Sequence, residues 1–361
     1  MQRASDQIPW KVTDISLRPY AHFWSFNPSI HFDGKLWRCC LRSADYCMKD
    51  GETIRSPRAL PGESWTKNAM AIFDPATWKP LEIYKMRERD GLPRTSCASM
   101  GYEDIRIFRT DKGGLQGIAA SLHLARGNRG RNRFAEQVVL SFDAEYNVVR
   151  AQPIRGSAWG SLPQKNWVPF DDCVESRFLY SIGEGKLFDE HGPLLTEEMA
   201  VRPSTLSRSA FSAPDERARR RARRRAADGE RSREDEELRQ SRDRDEQVFD
   251  FWPAQRAYED LRGGTQLVRV GVESWLGLGH KMKFVNRKKL YWHVWYLVNA
   301  HGKMTAASPP MKLAPNGIEF AAGMGVDGDR VVISFGVDDM QCKIGETRLV
   351  AVLKALRAIE S

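Results

Sequence analysis

The chain has 361 residues, 41% of them hydrophobic and 29% charged, with a formal net charge of +9 at pH 7. No run approaches the ~18–20 apolar residues of a membrane helix, and no apolar segment follows Met1-Gln2-Arg3-Ala4-Ser5-Asp6-Gln7, so neither a membrane span nor a secretory leader is expected. The length suits two ordinary domains or one closed β architecture.

In chain order, the first candidate element opens at Asn27-Pro28-Ser29-Ile30 and runs as a hairpin from Ile30 to Leu41, turning at Asp33-Gly34. A second entry, Glu103-Asp104-Ile105-Arg106, leads into Ile105 to Leu124 with a turn at Gly113-Gly114. The third is Lys165-Asn166-Trp167, the fourth Gly263-Gly264-Thr265, and the fifth Gly323-Met324-Gly325. The fifth continues from Val326 to Phe335 through Asp327-Gly328. A recurring short entry, alternating strand and tight turn is the signature of a repeat architecture, here an all-β, five-bladed β-propeller occupying residues 1–361 as one domain. In such a ring the polar entries converge on a central funnel.

Between the third and fourth entries, Asp215 to Gln247 holds 12 Arg and 11 acidic residues and almost no apolar ones. Such a run cannot offset its chain entropy by burial. Residues 204–247 therefore read as a charged insertion in a surface loop, disordered or a solvated helix, with a nuclear-import or RNA-binding patch as the alternative. Removing it evens the spacing of the five entries. Asp215 to Gln247 contributes only +1 to the net charge, so +8 lies on the rest of the chain, read either as an electropositive face for a phosphorylated or polyanionic partner or as Lys and Arg spread over the surface. The stretch from Glu346 to Leu356 is apolar at helical spacing and reads as a short helix packing on one face of the ring.

The six cysteines (Cys39, Cys40, Cys47, Cys97, Cys173, Cys342) form no CxxC pair, which reads as free thiols in a reducing, cytoplasmic setting. No metal-ligand spacing links them to a histidine, and no Walker, Rossmann, G-x-S-x-G or H-E-x-x-H motif is present. No metal or cofactor is expected.

Among the residues able to carry chemistry, Glu103-Asp104-Ile105-Arg106 stands out. In a regular strand its two carboxylates face opposite ways, so one can face the funnel while the other staples a blade, through Arg106 for example. The alternative is a purely structural ion pair. Asp338-Asp339 follows the strand Arg330 to Phe335 and is either a site element or a turn cap. Lys165, Asn166, Arg262 and His280 sit at or just after entries and together could cradle an anion. Trp167, Trp275, Trp292, Trp295 and Tyr296 read mostly as core, with sugar stacking as the alternative for an exposed ring.

The order of these pieces resembles the five-bladed enzymes of glycoside hydrolase family 130, the β-mannoside phosphorylases, and related mannosyltransferases. The matching residues are Phe26-Asn27-Pro28 with Arg42, Glu103-Asp104-Ile105-Arg106 against the family's Glu-Asp-Pro-Arg, and Lys165 to Phe170. They continue through Arg262-Gly263-Gly264, Leu276 to His280, Ile318-Glu319-Phe320, and Ser334 to Asp339. The resemblance implies Asp104 as general acid, acting through a substrate hydroxyl. It implies Asn27, Arg42 and Asp339 as sugar-binding residues, and Arg262 and His280, with Lys165 or Asn166, as phosphate-binding residues. Inorganic phosphate or a sugar phosphate would then be a substrate, and no second catalytic carboxylate is needed.

Two positions depart from the family: Ile105 replaces its proline, and Tyr180-Ser181-Ile182-Gly183-Glu184 stands where a phosphate-site arginine is expected. The expected function is transfer or phosphorolysis of a β-mannosyl-type unit on an oligosaccharide or sugar-phosphate substrate. The alternatives are a hydrolase of the same superfamily, with Glu184 as base, and a non-catalytic glycan- or protein-binding propeller. A nucleic-acid partner would be recruited through the Arg run alone.

Overall fold

A computed structural model describes residues 8–49, 52–59, 64–87, 99–110, 113–121, 135–154, 166–173, 175–183, 185–189, 191–194, 258, 261–285, 288–314 and 318–359. Lys165, Glu184, Cys97 and the charged insertion 204–247 lie outside them.

The described chain forms five antiparallel sheets whose strands follow one another in sequence, the arrangement of a five-bladed propeller. The first blade runs Trp24–Phe32, Trp37–Ala44, Ser64–Phe73 and Pro80–Lys85, and the second Tyr102–Thr110, Gly113–Ser121, Glu136–Phe142 and Val148–Pro153. The third is small: Val168–Pro169, Phe178–Ser181, Lys186–Asp189 and Gly192–Pro193. The fourth comprises Val268–Gly271, Ser274–Val285, Lys288–Val298 and Met304–Ala307, extended at its edge by Arg357–Ala358. The fifth contains Glu319–Asp327, Arg330–Val337 and Gln341–Arg348 and takes its outermost strand, Lys11–Asp14, from the start of the chain. That exchange closes the ring: the first described strand pairs antiparallel with the last strand of the last blade, Lys11 opposite Glu346.

Burial explains why the blades stay together. Five hydrophobic clusters fill the five seams between neighbouring blades. Ile30, Trp37 and Phe73 of the first blade meet Val332 and Ile344 of the fifth, and Met70 and Ile72 meet Ile105 and Val138 of the second. Phe108 and Val139 meet Trp167 and Phe178, Val168 and Leu179 meet Leu267 and Tyr296, and Leu276 and Leu278 meet Met324 and Val331. Each fully buried side chain of this kind contributes about 1.5–3 kcal/mol, so every seam is a core in its own right.

Near the axis, polar groups join the inner strands. The buried Gln266 donates to Ile30 O and Met324 O and accepts from Met324 N at 3.0 Å, linking the fourth blade to the first and fifth. Ser29 Oγ accepts from Ile107 N at 3.0 Å, and Asp171 Oδ1 from Arg109 N at 2.7 Å. This close approach leaves no room for side chains. A Cβ on Gly323 would lie 2.1 Å from Ile30 N, and one on Gly264 2.2 Å from Leu278 O.

Three details differ from the sequence expectation. The second hairpin turns before Gly113-Gly114, which already belong to its second strand. The C-terminal helix spans only Leu349–Ala355, because Glu346, Thr347 and Arg348 are claimed by strand pairing with the fifth blade. It buries Val352 against the seam of the fourth and fifth blades, the packing role expected of it. A hairpin of Tyr46–Lys49 and Glu52–Arg55 also leaves the first blade and reaches the fifth, where Met48 N donates to Asp338 O at 3.0 Å. No helix among the described residues is long and apolar enough to cross a membrane. All five described cysteines are buried, and Cys39, Cys40, Cys47 and Cys342 are free thiols.

Candidate active site

The inner strands break their own regularity at equivalent places. Asn27, Asp104 and Asn166, from the first three blades, all have left-handed backbone with φ of +47°, +51° and +66°. Register shifts accompany the first two, between Phe26 and Ser29 and where Glu103 to Arg106 pairs with Ala120 to Ile118. The fifth entry also carries a register shift, between Ala321 and Gly323, but the glycines of the fourth and fifth entries have no left-handed backbone. Non-glycine left-handed residues are costly and cluster where the surrounding structure demands a special side-chain direction.

The bulges aim two blades at one oxygen. Asn27 Nδ2 donates to Asp104 Oδ1 at 2.9 Å, and Arg42 Nη1 donates to the same oxygen at 2.8 Å. Arg42 is 4% exposed and also donates from Nη2 to the Tyr46 hydroxyl at 2.8 Å. Its guanidinium lies 4.9 Å from the Phe26 ring centroid, and Glu103 Oε1 is 3.7 Å from Nη2. Burial by itself would weaken this cation. Asp104, Tyr46, Glu103 and Asp339 more than offset that and hold its pKa well above the ordinary arginine value. Burial pushes the Tyr46 hydroxyl up to about 12, so it meets Arg42 as a neutral phenol.

Both carboxylates of the Glu103-Asp104 pair therefore reach Arg42. Strict strand alternation forbids this, and the left-handed turn at Asp104 permits it. Arg106 does not staple either carboxylate. It is 2% exposed and donates to Gly264 O, to Asn166 Oδ1 at 3.0 Å and to the Asp104 carbonyl at 3.4 Å, with its guanidinium 5.5 Å from the Phe320 centroid. Burial lowers its pKa to about 10. Arg106 thus ties the second, third, fourth and fifth blades together at the axis.

The acidic pair of the fifth blade divides its labour. Asp338 and Asp339, with φ of +53° and +49°, are the central residues of a turn closed by Met340 N donating to Val337 O at 3.0 Å. Asp338 is structural, its Oδ1 accepting from Ile318 N at 2.7 Å. Asp339 acts electrostatically on Arg42, Tyr46 and Tyr291, as Asp104 also does.

Of the expected anion cradle, Arg262 is exposed and bonded through its backbone to His280, with both N–H···O distances 2.9 Å. His280 is 2% exposed, and its pKa is pushed down to about 3 by burial and then by Arg106 and Arg262. It is neutral at ordinary pH and so brings no charge to an anion. Asn166 is committed to Arg106, and Lys165 lies outside the described residues. Trp167, Trp275, Trp295 and Tyr296 are buried core, while Trp292 is half-buried beneath Lys312 at 5.4 Å.

Three aromatic neighbours surround these groups: Tyr46 and Tyr291, which carry no sequence signal of their own, and Phe320, which belongs to the Ile318-Glu319-Phe320 match. The last two pack against His280 with centroids 5.4 Å and 5.1 Å away. No group of three or more His, Cys, Asp or Glu able to hold a metal occurs among the described residues. A surface hollow around Trp10 and Lys11 lies at the Asp329 end of the fifth blade, a full strand length from Asp339. Its charged groups are paired with one another, Arg330 with Glu346 at 2.7 Å and Arg348 with Asp329 at 2.6 Å.

No known family profile matches the sequence. No curated protein matches it either. Solved structures do match in shape. The β-1,2-mannobiose phosphorylase from Listeria innocua, in complex with β-1,2-mannobiose, aligns with a TM-score of 0.52 at 11% identity, covering 95% of this chain and 96% of that one. A glycosyl hydrolase from Bacteroides ovatus aligns with a TM-score of 0.52 at 10% identity, over 90% and 84%. A structure described under the GH130 family of mannoside phosphorylases, with hydrolases that target β-1,2 mannosidic linkages in Candida mannan, gives 0.53 at 11% identity, over 90% and 84%. At such identities the likeness establishes the five-bladed fold that these chains share.

Proposed function

We propose that the protein is a carbohydrate-active enzyme that transfers or phosphorolyses a β-mannosyl-type unit, with Asp104 as its proton donor. The observation that carries this reading is the convergence of Asn27 and Arg42, from another blade, on Asp104 Oδ1. Two donors on Oδ1 leave the acidic proton for Oδ2. In the proposed step, Asp104 gives that proton to a substrate hydroxyl, whose own proton passes to the glycosidic oxygen as the C1–O bond breaks. A phosphate oxygen forms the new bond to C1 from the opposite face. Asp104 is left as a carboxylate, which Arg42 stabilises; this is the differential charge stabilisation that lowers a barrier. In the transfer direction the same step runs backwards, the acceptor hydroxyl's proton returning through the substrate hydroxyl to Asp104 as the sugar–phosphate bond breaks. Asn27, Arg42 and Asp339 hold the sugar, Tyr46 fixes Arg42, and Arg262 and His280, with Lys165 or Asn166, receive the phosphate or sugar phosphate.

The neutral state of His280 favours a second reading, in which the propeller binds glycans without turnover, because an anion cradle short of charge serves phosphorolysis poorly. Incubation with phosphate and a panel of β-mannosides, and in reverse with mannose 1-phosphate and acceptors, separates the two. Release of a sugar phosphate or a new glycoside supports the enzyme; saturable binding without any product supports the binding propeller.

A further inference from the structure

On the first blade, cations with no acidic partner among the described residues sit outside the expected cradle. Across that blade, Arg42 is the register partner of Asn68. The Asn68 carbonyl accepts from Met86 N at 3.0 Å and from the Tyr20 hydroxyl at 2.6 Å. Lys67 flanks Asn68, and Lys85 and Arg87 flank Met86, so chain connectivity alone gathers three cations around one point. Lys67 Nζ lies 5.3 Å from the Tyr20 centroid and 5.0 Å from that of Phe23, and Lys85 Nζ lies 5.6 Å from Tyr20. Arg87 acts electrostatically on the same Tyr20 hydroxyl. All three are exposed, and none forms an ion pair with an acidic side chain among the described residues. Like charges held together without a counter-ion repel, and an anionic ligand relieves that repulsion.

Strand alternation projects Lys67 from the face opposite Arg42, so this cluster lies over the edge of the blade and not inside the funnel. Lys67 lies one strand spacing and Lys85 two from the Arg42 strand, roughly 5 and 10 Å, a span that two sugar units cover. We infer that Lys67, Lys85 and Arg87, set around Tyr20 and Phe23, form an outer subsite for the phosphate group of a phosphorylated oligosaccharide whose other end occupies the Asp104 funnel. The location of the funnel end rests on the function proposed above; the cation cluster does not.

Calorimetric titration with β-mannotriose, with the same trisaccharide carrying a phosphomonoester on its distal unit, and with inorganic phosphate tests this, using wild-type protein and a Lys67→Ala/Lys85→Ala variant. The phosphorylated sugar should bind wild-type protein about tenfold more tightly than the neutral one, as two partly exposed charge-assisted contacts allow. The preference should vanish in the variant and shrink at high salt, with neutral affinity unchanged. Equal affinities for the two sugars in wild-type protein, or a preference that survives in the variant, overturns the subsite. Competition by inorganic phosphate for the lysine-dependent part identifies the phosphate group as the element recognised. Lysine-dependent binding without turnover of either sugar keeps the subsite and removes the mannosyl reading. Turnover of the neutral sugar with no phosphate preference does the reverse, and absence of all binding removes both.

Discussion

Arg42 Nη1 stands 2.8 Å from Asp104 Oδ1, joining the second strand of one blade to the bulged inner strand of the next. The pair is both a seam contact and the centre of the proposed chemistry, and the two roles can be pulled apart by substitution. Arg42→Ala leaves Asp104 and Glu103 without their buried cation and should destabilise the fold by about 3–5 kcal/mol, read from urea unfolding. Arg42→Lys keeps the charge but loses the fork to Asp104 and Tyr46, and should be intermediate. Wild-type stability in Arg42→Ala would show that solvent already screens the pair.

Tyr46 offers a milder test of the same network. Tyr46→Phe removes the acceptor for Arg42 Nη2 while keeping the ring beside Phe26, whose centroid is 5.9 Å away. A lost hydrogen bond to a charged group lowers stability by about 1.5–3 kcal/mol. Turnover should fall with it, because Arg42 gains freedom. Unchanged melting temperature and unchanged kcat together would show that Tyr46 does not orient Arg42.

Acid sensitivity should follow from His280. Its pKa is held down to about 3 in the fold, against an ordinary 6.5 in the unfolded chain. Between these values the unfolded state binds the extra proton, so stability is retained above about pH 6.5 and declines as pH falls toward 3, at up to about 1.4 kcal/mol per pH unit. His293 is displaced in the same direction by burial. His280→Gln should flatten this slope, and the His280 ring should show no NMR titration between pH 5 and 8. A normal titration near pH 6.5 would restore it as a cationic phosphate ligand.

Gly336 holds Asn27 in place by having no side chain. A Cβ there would lie 2.4 Å from Asn27 Oδ1 and 2.7 Å from Asn27 N. Gly336→Ala should therefore shift the Asn27 bulge, cost about 1–3 kcal/mol as overpacking does, and reduce turnover. Full activity with native stability would show that the bulge yields freely.

The propeller was legible because polar or glycine entries such as Asn27-Pro28 and Gly263-Gly264 mark where inner strands crowd the axis, and sterics there admit few alternatives. The closing strand Lys11–Asp14 was not, since four largely exposed residues carry no alternation, and their place depends on a partner more than 300 residues away. Asn27, Arg42 and Asp104 stood out as a group through family resemblance and are neighbours in space. The fates of Glu103 and Arg106 were misread because one left-handed residue, Asp104, undoes the alternation on which the reading relied. Tyr46 was invisible: its importance arises from a side hairpin that returns it to Arg42.

The role of Asp104 as proton donor is tested most directly by single-turnover measurement of Asp104→Asn with a β-mannoside that the wild type cleaves. The substitution is nearly isosteric and keeps a partner for Arg42, so circular dichroism and melting should stay close to wild type. Loss of a positioned acid should slow bond cleavage about 10²–10⁴-fold, while substrate affinity changes little. Cleavage by folded Asp104→Asn at the wild-type rate would contradict the account and leave the Arg42–Asp104 pair as a seam contact alone.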